Sequence, residues 1–179
     1  MRDSYNTTVI LWPATPLAAI VAEQLRDIGV ELTNPQADPG CLTARHTEDG
    51  QLLLEIASEQ LHGLTDLEAV LAALRLAGVS YVAWDAKKSE IAGTGRSYDP
   101  NSRVESEFTV MSDGEPVLTL SDLDELKGRY DTTEGLLEGI QASLRLPLPQ
   151  NLSDVDGFTI VIEPEDSDDD ERVTQQGGR

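Results

Sequence analysis

The sequence predicts an α+β fold: a mixed or mostly antiparallel sheet of about six to eight short strands with three or four helices. Three observations lead there. Short apolar and β-branched runs bounded by turn residues recur along the chain. Thr65 to Ala77 carries an unbroken helical period. Residues 79–120 read as successive strands joined by turns, an antiparallel meander. We find no internal repeat. The pattern fits one domain over residues 5–163, followed by an acidic and polar tail over 164–179 that buries too little apolar surface to order itself.

Thr7 to Trp12 reads as a buried strand. Thr15 and Pro16 then supply an N-cap and a first helical position. Leu17, Ile20, Val21, Leu25 and Ile28 follow the helical period, Gly29 stops it, and Val30 to Leu32 suggests a short strand. Cys41 to His46 and Gln51 to Ala57 are expected to pair as a hairpin across the Asp49-Gly50 turn. Thr65 to Glu68 matches a capping box, with Leu67, Val70, Leu71 and Leu74 on one face and Gly78 at the end. Strands are expected at 79–85, 90–97, 103–110 and 117–120. Ser121 opens a short helix with Leu123 and Leu126 inward. Asp131 caps a last helix whose apolar face is Leu136, Leu137, Ile140 and Leu144. Phe158 to Ile162 is the final expected strand.

Composition narrows the function. Of 179 residues, 13 are basic and 33 acidic, a formal net charge of −20. Direct nucleic-acid binding needs a cationic surplus and is excluded as an expectation, as is attachment to an anionic membrane. With 39% hydrophobic residues the chain can form a core, and with 4% aromatics that core is mostly aliphatic. The single Cys41 allows no internal disulfide, and no apolar run is long enough for a membrane helix or a signal-peptide core. The expectation is a cytoplasmic protein without a cofactor.

The charge is uneven. Residues 1–103 hold 14 acids and eight bases, whereas residues 104–171 hold 19 acids and three bases. On a helix, Asp131, Glu134 and Glu138 fall within about 60° of one another, nearly opposite Leu137, Ile140 and Leu144. Asp122, Asp124 and Glu125 extend the acids onto the preceding helix. These six residues are the candidate partner-binding site. The leading expectation is a non-enzymatic protein that binds a basic protein partner through its acidic C-terminal half. In its sharper form it is a nucleic-acid-mimic inhibitor of a nucleic-acid-binding protein. The row resembles such mimics in charge alone.

Two other functions are carried as alternatives. One is a small enzyme assembled from distant residues, with Asp85, Glu107, His46 and His62 as candidates. The other is a metal module at residues 154–163. With Gly157 at calcium-loop position 6, Asp154, Asp156 and Glu163 take ligand positions, but Leu152 stands where the first Asp belongs. Gly93-Thr94-Gly95 lacks the third glycine and following helix of a dinucleotide loop and reads as a strand eased by glycines. Lys87, Lys88, Arg96 and Arg103 form the one basic concentration and are expected on solvated strand faces.

Overall fold

A strand with apolar residues at successive positions must be covered on both faces, and β1 (Tyr5–Trp12) is such a strand. In a computed structural model of the protein, residues 5–13, 16–30, 42–47, 51–58, 63–87, 92–111, 114–145, 148, 152–154 and 160–164 are described. They form an α+β fold with one antiparallel sheet and four helices.

The elements after β1 are α1 (Ala19–Asp27), β2 (Leu42–Thr47), β3 (Leu52–Ser58), α2 (Glu68–Leu76), β4 (Ser80–Lys87), β5 (Ala92–Asp99), β6 (Val104–Met111), β7 (Pro116–Val117), α3 (Leu120–Arg129), α4 (Thr133–Ser143) and β8 (Leu152–Asp154). The sheet order is β7-β6-β5-β4-β1-β3-β2-β8, and each neighbouring pair runs antiparallel. The central seam pairs β1 with β4 from Tyr5↔Lys87 to Trp12↔Ser80. On one side of it lies the β2–β3 hairpin, and on the other the β4–β7 meander. β7 pairs only with Thr109 and Val110, so Val104 to Phe108 of β6 have no strand on their outer side among the described residues.

Alternation divides the seam between two cores. Val9, Leu11, Tyr81 and Ala83 face α1 and α2, whose buried Val21, Leu25, Val70, Leu71 and Leu74 complete a core of twenty buried side chains. Ile10, Trp12, Leu53 and Val82 face the other way, into a core of those four residues edged by Trp84, Phe108 and Leu148. The glycines expected to ease β5 have a specific use there. A Cβ on Gly95 would sit 2.3 Å from the Phe108 ring, because Phe108 lies directly opposite across the β5–β6 pair. Gly114, at φ +88°, likewise leaves room for the Trp84 indole.

Both core helices end alike. Gly29 and Gly78 have positive φ, and their amides donate to Arg26 and Arg75 carbonyls. The next amides, of Val30 and Val79, reach back to the Leu25 and Leu74 carbonyls, with both members of each pair buried. This is the Schellman arrangement.

Several boundaries differ from the sequence expectation. α1 begins at Ala19 without a side-chain cap, because Leu17 is drawn into a parallel bridge with Ile162; its amide donates to the Val161 carbonyl at 2.7 Å. Ile20 is consequently exposed, while Thr15 lies outside the described residues. Val30 is a buried residue after the helix and not a strand; residues 31 and 32 lie outside the described set. The hairpin forms as expected, with its turn at 48–50 also outside. α2 starts at Glu68, and Thr65 does not cap it; the segment before it is held by Asp85, whose carboxylate accepts from the Leu64 amide at 2.7 Å. Thr119, and not Ser121, caps α3, which shortens the preceding strand to β7. Thr132, and not Asp131, caps α4. At the C-terminal end, residues 160–162 form no strand beyond the Ile162 bridge, and 158–159 lie outside the described residues. β8 pairs instead with β2. Residues 165–179 lie outside as well. Among the described residues no helix is long and apolar enough to cross a membrane.

Asp85→Ala removes the acceptor of the Leu64 and Thr94 amides and is expected to cost about 1–2 kcal/mol in urea unfolding. Gly95→Ala drives a methyl into the Phe108 ring and should cost about 1–3 kcal/mol. Phe108→Leu in the Gly95→Ala background should recover part of that loss.

Candidate functional site: the α3–α4 hairpin and the groove beneath it

Thr119 accepts from the Asp122 amide, and Asp122 accepts from the Thr119 amide at 2.7 Å, a reciprocal capping box that starts α3. Three residues, Tyr130 to Thr132, then turn the chain into α4. Tyr130 sets how the two helices meet. A Cβ on Gly139 would lie 2.4 Å from its ring, and one on Gly135 3.2 Å, so the ring rests on the bare backbone of α4. Gly139 is accordingly the buried residue of that helix.

This contact corrects the expected orientation of α4. Burial centres on the glycine side: of the expected apolar face, Leu136 and Ile140 are half-buried, whereas Leu137 and Leu144 are left outside. Leu137 and Leu144 are 54% and 40% exposed, and Leu120 at the start of α3 is 82% exposed. The expected placement opposite the acids is also wrong on helix geometry alone: on a helix of 3.6 residues per turn, Leu137 and Leu144 lie about 60–80° from Glu134 and about 100–120° from Glu138, so they flank the acids and are not opposite them, whatever the helix packs against.

The six candidate acids do not form one continuous row. Asp131 precedes α4, leaving Glu134 and Glu138 as the exposed helical pair. Asp122 is committed to the cap, and the Thr119 hydroxyl bond holds its carboxyl below the usual range. Glu125 pairs with Arg129 at 2.7 Å, and both line the space beside β6 together with Asp122. Asp124 faces outward and pairs with Lys127 at 3.5 Å. Exposed pairs of this kind contribute about 0.3–0.5 kcal/mol each.

α3 buries only Leu126, so the hairpin covers the second sheet face lightly and leaves a groove. Its floor holds Ser97 and Ser106, directly opposite each other across β5 and β6, with Phe108 beside them. Arg129, Ser143 and Arg145 form the other wall, enclosing about 650 Å³. An adjoining space of about 790 Å³ shares both serines and Arg145 and extends to Trp12 and Leu148. The sequence reading passed over Arg129, Arg145 and this serine pair. The available signals were two glycines four apart inside a helical pattern and a lone arginine ending an acid-rich segment.

The opposite face carries an ion-pair chain. Arg75 donates to Tyr81 at 3.1 Å, to Glu105 at 2.6 Å and to Glu68 at 2.7 Å; Arg96 also binds Glu68 at 2.7 Å. The Tyr81 hydroxyl donates to Glu105, and its ring stacks on Tyr98 with centroids 5.9 Å apart. Arg96 is therefore an ion-pairing residue and not a freely solvated charge. The Arg75 guanidinium holds the Glu68 carboxyl below the carboxylate range. Burial, then the Glu105 carboxylate, pushes the Tyr81 phenol well up.

The enzyme candidates are not brought together. Asp85 spends its carboxylate on backbone amides, and Glu107 is exposed 3.9 Å from Arg96. β5 separates their strands, a span of about 10 Å. His46 lies on β2, three strands from β4; its side chain, like His62, Cys41 and Lys88, lies outside the described set. The calcium-loop reading also fails at Asp154, which sits in β8 opposite Arg45 instead of in a loop. Glu163 lies beside Leu17, its amide donating to that carbonyl, and Asp156 lies outside. Among the described residues no three of His, Cys, Asp and Glu are grouped as a metal would require.

The ion-pair chain makes stability pH-dependent at both ends. Because Glu68 has a depressed folded value, its contribution is present above the ordinary carboxylate range and lost as pH falls through the folded value. Tyr81 has a raised value, so its contribution is present below about pH 10 and lost as pH rises toward the folded value. In a spectrophotometric titration, one of the four tyrosines should ionise only with alkaline unfolding. Tyr81→Phe should remove that delayed step, and Glu68→Gln should flatten the acid limb.

Comparisons with protein families, with curated proteins and with solved structures found no match for this chain.

Proposed function

We propose that the protein is a non-enzymatic binding module whose α4 face docks on a basic protein partner. One observation carries the reading: α4 and its C-cap hold Leu137 and Leu144 in solvent next to Glu134, with Glu138 about 40° further round the same exposed surface and Asp131 at the helix entry. Apolar side chains packed at the centre supply affinity, and the carboxylates around them select a cationic partner and speed encounter. The charge of the whole chain, −20, acts in the same direction at longer range. The sharper form is a partner that binds nucleic acid, whose cationic surface the acids would occupy in competition. Glu134 and Glu138 are about 6 Å apart along the helix, near the phosphate repeat of one strand.

The test is capture of binding proteins from the native host at low and high salt, followed by calorimetry with the purified partner. Combined Asp131→Asn, Glu134→Gln and Glu138→Gln should weaken binding by about tenfold or more at low salt and flatten its salt dependence. Leu137→Ser should weaken it at all salt concentrations. Unchanged affinity in the triple variant would refute the assignment of this face. Failure of nucleic acid to displace the protein from its partner would refute the mimic form alone.

A further inference from the structure

We propose that the groove between β5–β6 and the α3–α4 hairpin binds a small organic monocarboxylate, with Arg145 anchoring the carboxylate and the Trp12 end taking an apolar body. The inference does not depend on the partner reading above.

Residues 104–171 contain three cations, Lys127, Arg129 and Arg145. The first two are held by Asp124 and Glu125 within α3. Arg145 makes no ion pair or side-chain hydrogen bond among the described residues, although 19 acids share that stretch of chain. Its place is the groove wall, common to both parts of the space. A guanidinium offers a planar fork that matches a carboxylate with two parallel bonds.

The floor supplies the rest of a polar end. Ser97 and Ser106 are directly opposite one another, and neither hydroxyl has a partner among the described residues. Hydroxyls left without an acceptor beside an unpaired guanidinium make a donor set aimed at an oxyanion. Trp12 and Leu148 at the far end belong to or edge the small core and provide an apolar surface for a ring or short chain. A volume of about 650–790 Å³ is within the range that takes a small organic ligand.

The charge of the site selects a monoanion. Asp99, on the same face of β5 as Ser97, lines the wider part of the space, and Glu125 already neutralises Arg129, so the site does not hold the uncompensated positive charge that a phosphate dianion requires. A single negative charge satisfies Arg145; a second would meet Asp99 on a protein that is already strongly anionic.

The test is calorimetry on the full chain at neutral pH with naphthylacetate, its neutral amide naphthylacetamide, and naphthyl phosphate. Naphthylacetate should bind, with the amide about tenfold weaker or worse. Arg145→Gln should lower naphthylacetate affinity by about tenfold, and Lys127→Gln, on the outer side of α3, should leave it unchanged. Circular dichroism should report the same fold for both variants, since neither side chain is buried. Trp12 emission should shift on binding in the wild type. Equal binding of acid and amide, full affinity in Arg145→Gln, or no binding of naphthylacetate would overturn the proposal. Tighter binding of the phosphate would overturn its monoanion selectivity.

Discussion

The pairing of β1 with β4 is the interaction on which the other elements depend. It aligns eight residue pairs at the centre of the sheet, and its two faces present apolar residues in alternation. The other strands extend the sheet to either side of this pair, and the helices cover its two faces. α1 and α2 cover the first face with close-packed aliphatic side chains and terminate so that Val30 and Val79 add to the same core. The second face has a four-residue core and a hairpin that contributes mainly Leu126. This inequality separates the molecule into a rigid side and a side where side chains, groove and solvent meet.

Much of the rigid side was legible in the sequence. The apolar period of Leu67, Val70, Leu71 and Leu74 identifies α2, and the glycines at 29 and 78 mark its end and that of α1. The hairpin and meander follow from turn residues between β-branched runs. What escaped was any feature settled by a residue distant in sequence. Thr65 has the spacing of a cap, yet Asp85, on another strand, holds the segment before α2. Leu17 fits the helical period, yet the chain at Ile162 draws it into a bridge. Local spacing registers what a side chain could do; a partner far along the chain determines what it does.

The candidate site shows the same division more sharply. The acids of α3 and α4 were visible, but their orientation was read from the leucines. The decisive contact is between an aromatic ring and glycines, which carries no hydropathy signal. Phe108 on Gly95, Trp84 on Gly114 and Tyr130 on Gly139 repeat one device: a large ring is seated where the opposing residue has no side chain. In a chain with few aromatics, that device uses small residues to supply shape where aliphatic bulk is lacking. For α4 it also turns the helix, so that Leu137 and Leu144 remain outside.

The brevity of β7 has a consequence for how the protein behaves in concentrated solution. Because β7 ends after two residues, the backbone from Val104 to Phe108 has no strand beside it among the described residues, which is the form of edge to which another strand can add. That stretch carries Glu105 and Glu107, two like charges two positions apart on one face. Arg75 holds Glu105, so Glu107, 68% exposed, is the freer of the two, and an outward charge on an edge strand disfavours the addition of another strand. Such a guard is electrostatic and not steric. It weakens where acid neutralises the carboxylates or where salt screens them.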